Sequence, residues 1–129
     1  MSIEEAVLTA FARLFTLGHL VALCGGVFLG LVVGILPGLG GVAGLSLILP
    51  FLFGADPSIA LAMMIGLQSV TATSDTFPSV LMGIPGTSSS QATVMDGFPM
   101  SKKGEAARAL SAAFVSSMYG GIFGALVLS

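Results

Sequence analysis

The sequence has 129 residues, 8% of them charged and 55% apolar, with a formal net charge of −2 and a mean hydropathy of +1.07. Soluble domains carry about 25% charged residues, so this composition excludes a water-covered globule and points to an integral membrane protein. The small net charge without a basic stripe gives no ground for a nucleic-acid partner, and the lone Cys24 excludes an intrachain disulfide or a zinc cluster.

Ser2 to Phe15 reads as a short amphipathic helix. Ile3, Ala6, Val7, Ala10, Phe11 and Leu14 recur at helical spacing, with Glu4, Glu5, Thr9 and Arg13 between them. Ser2 with Glu5 three residues on fits a capping box. The segment is expected to lie in the membrane interface, as a unit of residues 1–15 ahead of a transmembrane domain of residues 16–129. It does not read as a cleaved leader, because its first charges are acidic and the apolar stretch behind it is too long.

Leu14 through Ala55, 42 residues, carries no charged side chain. One crossing needs about 20 apolar residues. Leu17 to Leu36 is the first spanning candidate. Gly26, Gly30, Gly34 and Gly38 recur every fourth residue and are expected to line one face that a second helix can approach closely. The stretch Gly34 to Gly41, GILPGLGG, then interrupts the run. Proline removes a backbone donor and glycine loosens the chain. Open backbone is tolerated within a membrane only where protein buries it or a wet cavity meets it. Gly41 to Phe53, 13 residues closed by Pro50 and Gly54, suits a half-helix or a re-entrant segment.

Asp56-Pro57-Ser58 is a helix start. Ile59 to Val70 begins another apolar run, which turns polar at Thr71 to Thr76 and meets Pro78. Val80 to Met95 holds a second interruption, Gly83 to Gln91. Asp96-Gly97-Phe98-Pro99 carries turn chemistry and is expected to close it. Ser101 to Arg108 contains Lys102, Lys103 and Arg108, and by the positive-inside tendency faces the cytoplasm. Ala109 to Ser129 is uncharged, with Gly120 and Gly124 four apart. A span that stops without polar flanking residues suggests a piece of a longer chain, one that would not transport alone.

The two Pro-Gly breaks, Pro37-Gly38 and Pro85-Gly86, lie 48 residues apart. Each is followed by residues suited to starting a helix: Gly40 and Gly41 in the first, Thr87, Ser88 and Ser89 in the second. A helix start presents free N–H groups and a partial positive charge, which favour a carboxylate. Two such starts meeting near the bilayer midplane would bind an organic anion without arginine. The other reading is a pair of proline kinks packed tightly through glycine. Spacing alone leaves both open.

The blocks Pro37-Gly38-Leu39-Gly40, Ile84 to Thr87, and Asp96 to Met100 with Lys102-Lys103 and Gly104-Glu105-Ala106 agree in order and spacing with one family. Over about Gly30 to Leu126 the chain resembles the N-terminal part of the large membrane subunit of tripartite tricarboxylate transporters. The resemblance implies a bundle of broken transmembrane helices, one repeat of a larger inverted-repeat transporter. It further implies uptake of small carboxylates across the bacterial inner membrane on a sodium or proton gradient. A periplasmic solute-binding protein would deliver substrate, and a small membrane subunit would complete the complex. No cofactor is implied. The chain departs from the family pattern at Gly83 (usually Asn), at Ser88-Ser89 (commonly Pro-Ala) and at Thr71 to Thr76 (usually Gly- and Tyr-rich). These changes adjoin the implied site and bear on which acid is taken.

The candidate carboxylate-binding residues are therefore Pro37, Gly38, Gly40, Gly41, Pro85, Gly86, Thr87, Ser88 and Ser89. Asp75 is the candidate for the coupling ion, since carboxylates within membrane segments are usually functional; the alternative is an interfacial loop acid before Pro78. Thr87 to Gln91 either line an anion path or satisfy backbone. His19 is either a proton relay or an interfacial side chain. Asp96 reads most simply as part of a cytoplasmic loop.

Gly38 to Ala43 matches a dinucleotide fingerprint by letter but lacks the strand–helix–strand context, and no Walker lysine follows a glycine loop. An intramembrane enzyme would need a nucleophile and base that this chain does not pair. A small homo-oligomeric transporter or channel of unrelated substrate fits the size and is the competing reading.

Overall fold

The structure, a computed structural model, describes residues 2–129. Every regular element among them is a helix: α1 Ile3–Leu14, α2 Leu17–Ile35, α3 Gly41–Leu52, α4 Pro57–Ser74, α5 Thr76–Met82, α6 Ser90–Lys102 and α7 Ala106–Leu128. The all-α expectation with short, interrupted helices is met. α2 and α7, of 19 and 23 residues, are long and apolar enough to cross a membrane.

α1 starts as its sequence directs. Ser2 accepts from the Glu5 amide, and the Glu5 side chain accepts from the Ser2 amide, closing the capping box. Its apolar residues Ile3, Val7, Phe11 and Leu14 remain exposed.

The scaffold is the pair α2–α4. Gly26, Gly30 and Gly34 face α4 so closely that a Cβ would collide with its backbone: at Gly30 it would lie 2.5 Å from the Leu67 carbonyl oxygen. Gly66 of α4 returns the contact, within 2.6 Å of the Leu23 carbonyl oxygen by the same measure. Backbones this close let α4 hydroxyls reach α2: Ser74 Oγ donates to the Gly30 carbonyl at 3.2 Å and to its own helix's Val70 carbonyl at 3.0 Å. The second helix that the glycine face was expected to admit is thus α4 of the same chain, so this face is not left free for a partner. Gly38 also leaves that face. It has φ +82° and opens onto nothing within 4 Å. Gly120 and Gly124 on α7 do remain open.

α4 and α5 meet at Asp75 with Pro78 one turn further on. Proline cannot donate to the carbonyl four residues back, so the helix is interrupted here. Ser79 closes the joint by donating to the Asp75 carbonyl through its amide at 3.3 Å and its hydroxyl at 2.8 Å. The most buried side chains lie at this joint: Leu67, Thr71, Ser74, Asp75, Ser79 and Val80. The centre of the molecule is largely polar, and no buried side-chain N or O among the described residues lacks a partner.

Asp96-Gly97-Phe98-Pro99 is not the expected turn. α6 runs through it to Lys102. Gly97 packs against Val80, Phe98 lies under Gly83, and Lys102 Nζ sits 4.6 Å from the centre of the Phe98 ring. Packing on α5 holds the helix past Pro99, which forfeits one backbone bond there. The basic segment is therefore a helix end and a three-residue turn. α7 docks through its first half, where Phe114 meets Phe77 at 5.5 Å between ring centres. Its second half, including Tyr119, Phe123 and Val127, is exposed.

Candidate functional site

The two Pro-Gly breaks touch each other. At the first, Leu39 donates to the Leu36 carbonyl at 3.3 Å across Pro37 and Gly38. Pro at the second place and a left-handed Gly at the third are the residues such a tight turn needs. The turn delivers Gly40 to the start of α3, where its carbonyl accepts from Ala43 and Gly44 at 3.0 and 3.2 Å. Among the described residues nothing accepts from the amides of Gly40, Gly41 or Val42. The start of α3 is an uncapped cluster of N–H donors.

Gly40 sits against the second break. A Cβ on Gly40 would lie 3.1 Å from both the Gly86 carbonyl oxygen and the Thr87 methyl carbon. The second break is pinned from behind by Asp75. The Gly86 amide donates to one carboxylate oxygen at 2.8 Å, and the Thr87 hydroxyl donates to the other at 2.9 Å. Thr87 Oγ1 also lies 3.0 Å from Ser89 Oγ and 3.3 Å from Ser90 Oγ. Ser90 closes this segment on itself, accepting from the Thr87 amide at 3.1 Å and donating to its carbonyl at 2.8 Å. Only glycine fits at position 86, because a Cβ there would strike the Asp75 carboxylate.

Asp75 is 2% exposed and lies at the α4–α5 joint, so it does not sit in an exposed loop. Its two acceptor bonds are charge-assisted and hold the break in one shape. The meeting of the breaks, though, is not half-way along α2. α2 spans about 28 Å at 1.5 Å per residue, and the first break follows its last turn.

The structure brings together Gly40, Gly86, Thr87, Ser89 and Asp75. Gly41 is buried beside the side chain of Gln68. Pro85 is half-buried, whereas Pro37, Gly38 and Ser88 are exposed and shape the turns. On the far side of Asp75 a cleft of about 570 Å³ opens between α4, α6 and α7, lined by Asp75, Ser89, Ser90, Thr93, Asp96 and the alanines of α7 among others. Ser90 was singled out from the sequence, whereas Thr93, Ser116 and Ser117 were not. Nothing in their spacing distinguishes them from helix-packing hydroxyls.

His19 is placed away from this site. Its Nδ1 lies 2.6 Å from Thr16 Oγ1 and its Nε2 3.0 Å from Ser58 Oγ, joining the starts of α2 and α4. Ser58 in turn donates to Asp56 through its amide at 2.9 Å and its hydroxyl at 2.7 Å. These bonds, the hydroxyl's foremost, hold the Asp56 carboxyl below the usual carboxylate range.

The family model described as Tripartite tricarboxylate transporter TctA family matches residues 20–129. The chain belongs to that family. It is 36% identical over 104 residues to an uncharacterized 52.8 kDa protein in the TAR-I ttuC' 3' region of Agrobacterium vitis. That match takes in 81% of this chain and 21% of the relative, so the chain spans about one fifth of the relative's length. No solved structure matches the chain. Both Pro-Gly breaks and Asp75 fall inside the span matched to the TctA family. Membership of a membrane transporter family accords with the two long apolar helices.

Proposed function

We propose that the chain forms part of the permease subunit of a secondary transporter that takes small di- or tricarboxylates across the bacterial inner membrane. A sodium or proton gradient drives uptake, a periplasmic solute-binding protein delivers the acid, and a small membrane subunit completes the complex. In this reading the protein crosses the membrane several times, and the basic end of α6 lies on the cytoplasmic side. It acts as a transporter and not as an enzyme.

The observation that carries the reading is the contact between Gly40 and Gly86–Thr87. Broken helices that meet inside a transporter commonly form its substrate site. The uncapped amides of Gly40, Gly41 and Val42 offer a carboxylate several N–H donors at the positive end of a helix. No Lys or Arg lies between Arg13 and Lys102, so these donors replace arginine. The amides of Gly86 and Thr87 are bonded to Asp75 and Ser90. In this reading the first break supplies the free donors, and the second forms the wall that confines the ligand.

The test is uptake of labelled di- and tricarboxylates by the assembled transporter in proteoliposomes. Accumulation that follows an imposed sodium or proton gradient supports the proposal. Equal counts with and without a gradient, for every acid tried, contradict it.

A further inference from the structure

At the end of the α2–α4 pair remote from the breaks, three helices meet through one histidine. His19, half-buried in the first turn of α2, lies between two hydroxyls. Its Nδ1 is 2.6 Å from Thr16 Oγ1, and its Nε2 is 3.0 Å from Ser58 Oγ. Each hydroxyl has a second partner that offers only lone pairs. Thr16 Oγ1 lies 2.6 Å from the Arg13 carbonyl in the last turn of α1, and Ser58 Oγ lies 2.7 Å from Asp56 Oδ1 ahead of α4. Four contacts therefore run in a line from α1 to α4, and each needs one proton. The two hydroxyls supply one each, and a neutral imidazole supplies a third. Only an imidazolium, a donor at both nitrogens, supplies the fourth. With a neutral ring, two lone pairs would face each other at one of these contacts, none of which is longer than 3.0 Å.

The fourth proton does not belong to Asp56, because Ser58 holds that carboxyl below the usual carboxylate range. Two charges face the ring from the helices packed on it. Asp56 of α4 favours a cation there, and Arg13 of α1 opposes one. The positive end of α2 also opposes it. Glu4 and Glu5 stand at the opposite end of α1, and α3 and α5, which also pack on α2, hold no charged residue.

We infer that Thr16, His19, Ser58 and Asp56 form a proton-operated clasp, which fixes the end of α1 to the start of α4 when His19 is charged and lets go when it is neutral. Whichever of the four contacts gives way, the line from Arg13 to Asp56 is cut. The proton shifts the equilibrium because only the fixed arrangement uses both ring donors. Imidazole changes charge between about pH 5 and 8, so the clasp is complete at the acid end of that range and is lost as pH rises through it. The exposed Ile3, Val7 and Phe11 of α1 are thereby held against the bundle in one pose in acid and freed towards alkali.

The test is a distance measurement by pulsed electron paramagnetic resonance on the assembled transporter in nanodiscs. Nitroxide labels are placed through Leu8→Cys on α1 and Leu61→Cys on α4, both exposed positions outside the clasp, in a background whose native cysteines are replaced by serine. With the clasp residues intact, the distance should be single and narrow at about pH 5 and should broaden, with a new longer component, at about pH 8. Thr16→Val keeps His19 but cuts the line, so it should give the broad distribution at both pH values. His19→Gln cannot titrate and should give one distribution at both. Ser69→Ala, which removes a hydroxyl bonded within α4, should respond as the intact clasp does. Thr16 is exposed, so its valine variant decides the matter if His19→Gln misfolds. A distance that does not change with pH when the clasp is intact, or a pH response that survives in Thr16→Val, would overturn the clasp.

Discussion

Asp75 and Gly86, eleven residues apart, are joined by an amide-to-carboxylate hydrogen bond of 2.8 Å. This bond ties the α4–α5 joint to the second Pro-Gly break, and through the break to Gly40 at the start of α3. A Cβ at position 86 would collide with the carboxylate. Gly86→Val should therefore abolish carboxylate uptake while the protein still reaches the membrane at normal abundance. Transport assays and membrane-fraction immunoblots check both parts, and normal uptake would count against the site.

The α2–α4 pair gives a prediction about stability. Gly30→Leu forces a side chain into the Leu67 backbone and should cost about 1–3 kcal/mol, as overpacking does. Gly120→Leu enters open space and should change stability by no more than about 0.5 kcal/mol. Thermal unfolding in detergent distinguishes them. Equal melting temperatures would show that the close packing of the two backbones is not what holds the pair.

Asp56 caps α4 with a carboxylate held below its ordinary range by Ser58. A carboxyl depressed in the folded state contributes stability above its unfolded value, and that contribution fades as pH falls through the folded value. Asp56→Ala should thus lower the melting temperature at neutral pH, and the gap to wild type should close in strong acid. A gap that stays constant into strong acid would contradict this.

Lys102 and Arg108 flank the α6–α7 turn, and Lys103 lies in it. A cysteine placed at Ser101 should react with a membrane-impermeant maleimide only after the cytoplasmic side is exposed. Labelling in intact cells would reverse the orientation.

Much of this arrangement was legible from sequence because it depends on local chemistry. Ser2 with Glu5 gave the first helix start, Asp56-Pro57 the fourth, and Pro37-Gly38 and Pro85-Gly86 both breaks. The glycine spacing gave a close-packed face but not its partner, since Gly26, Gly30 and Gly34 would read alike against α4 or another subunit. Asp96 to Pro99 read as a turn because turn residues also serve where a neighbour packs closely, as Val80 does on Gly97. Asp75 was ambiguous for a physical reason. Its burial depends on Gly86 and Thr87, which are distant in sequence and arrive only when the breaks meet. The cleft was invisible because α7 brings its serines and alanines to α6 by tertiary docking alone.

The most direct test of the central claim, that the two breaks together make a carboxylate site, is calorimetric titration of citrate and tartrate into the assembled transporter and its Gly40→Val variant. The valine would wedge between the start of α3 and Gly86–Thr87, where a Cβ already lies 3.1 Å from both. The account predicts that the acid bound by the wild type is bound about tenfold or more weakly by the variant, a loss of about 1.4 kcal/mol or more. An unchanged Kd would contradict it.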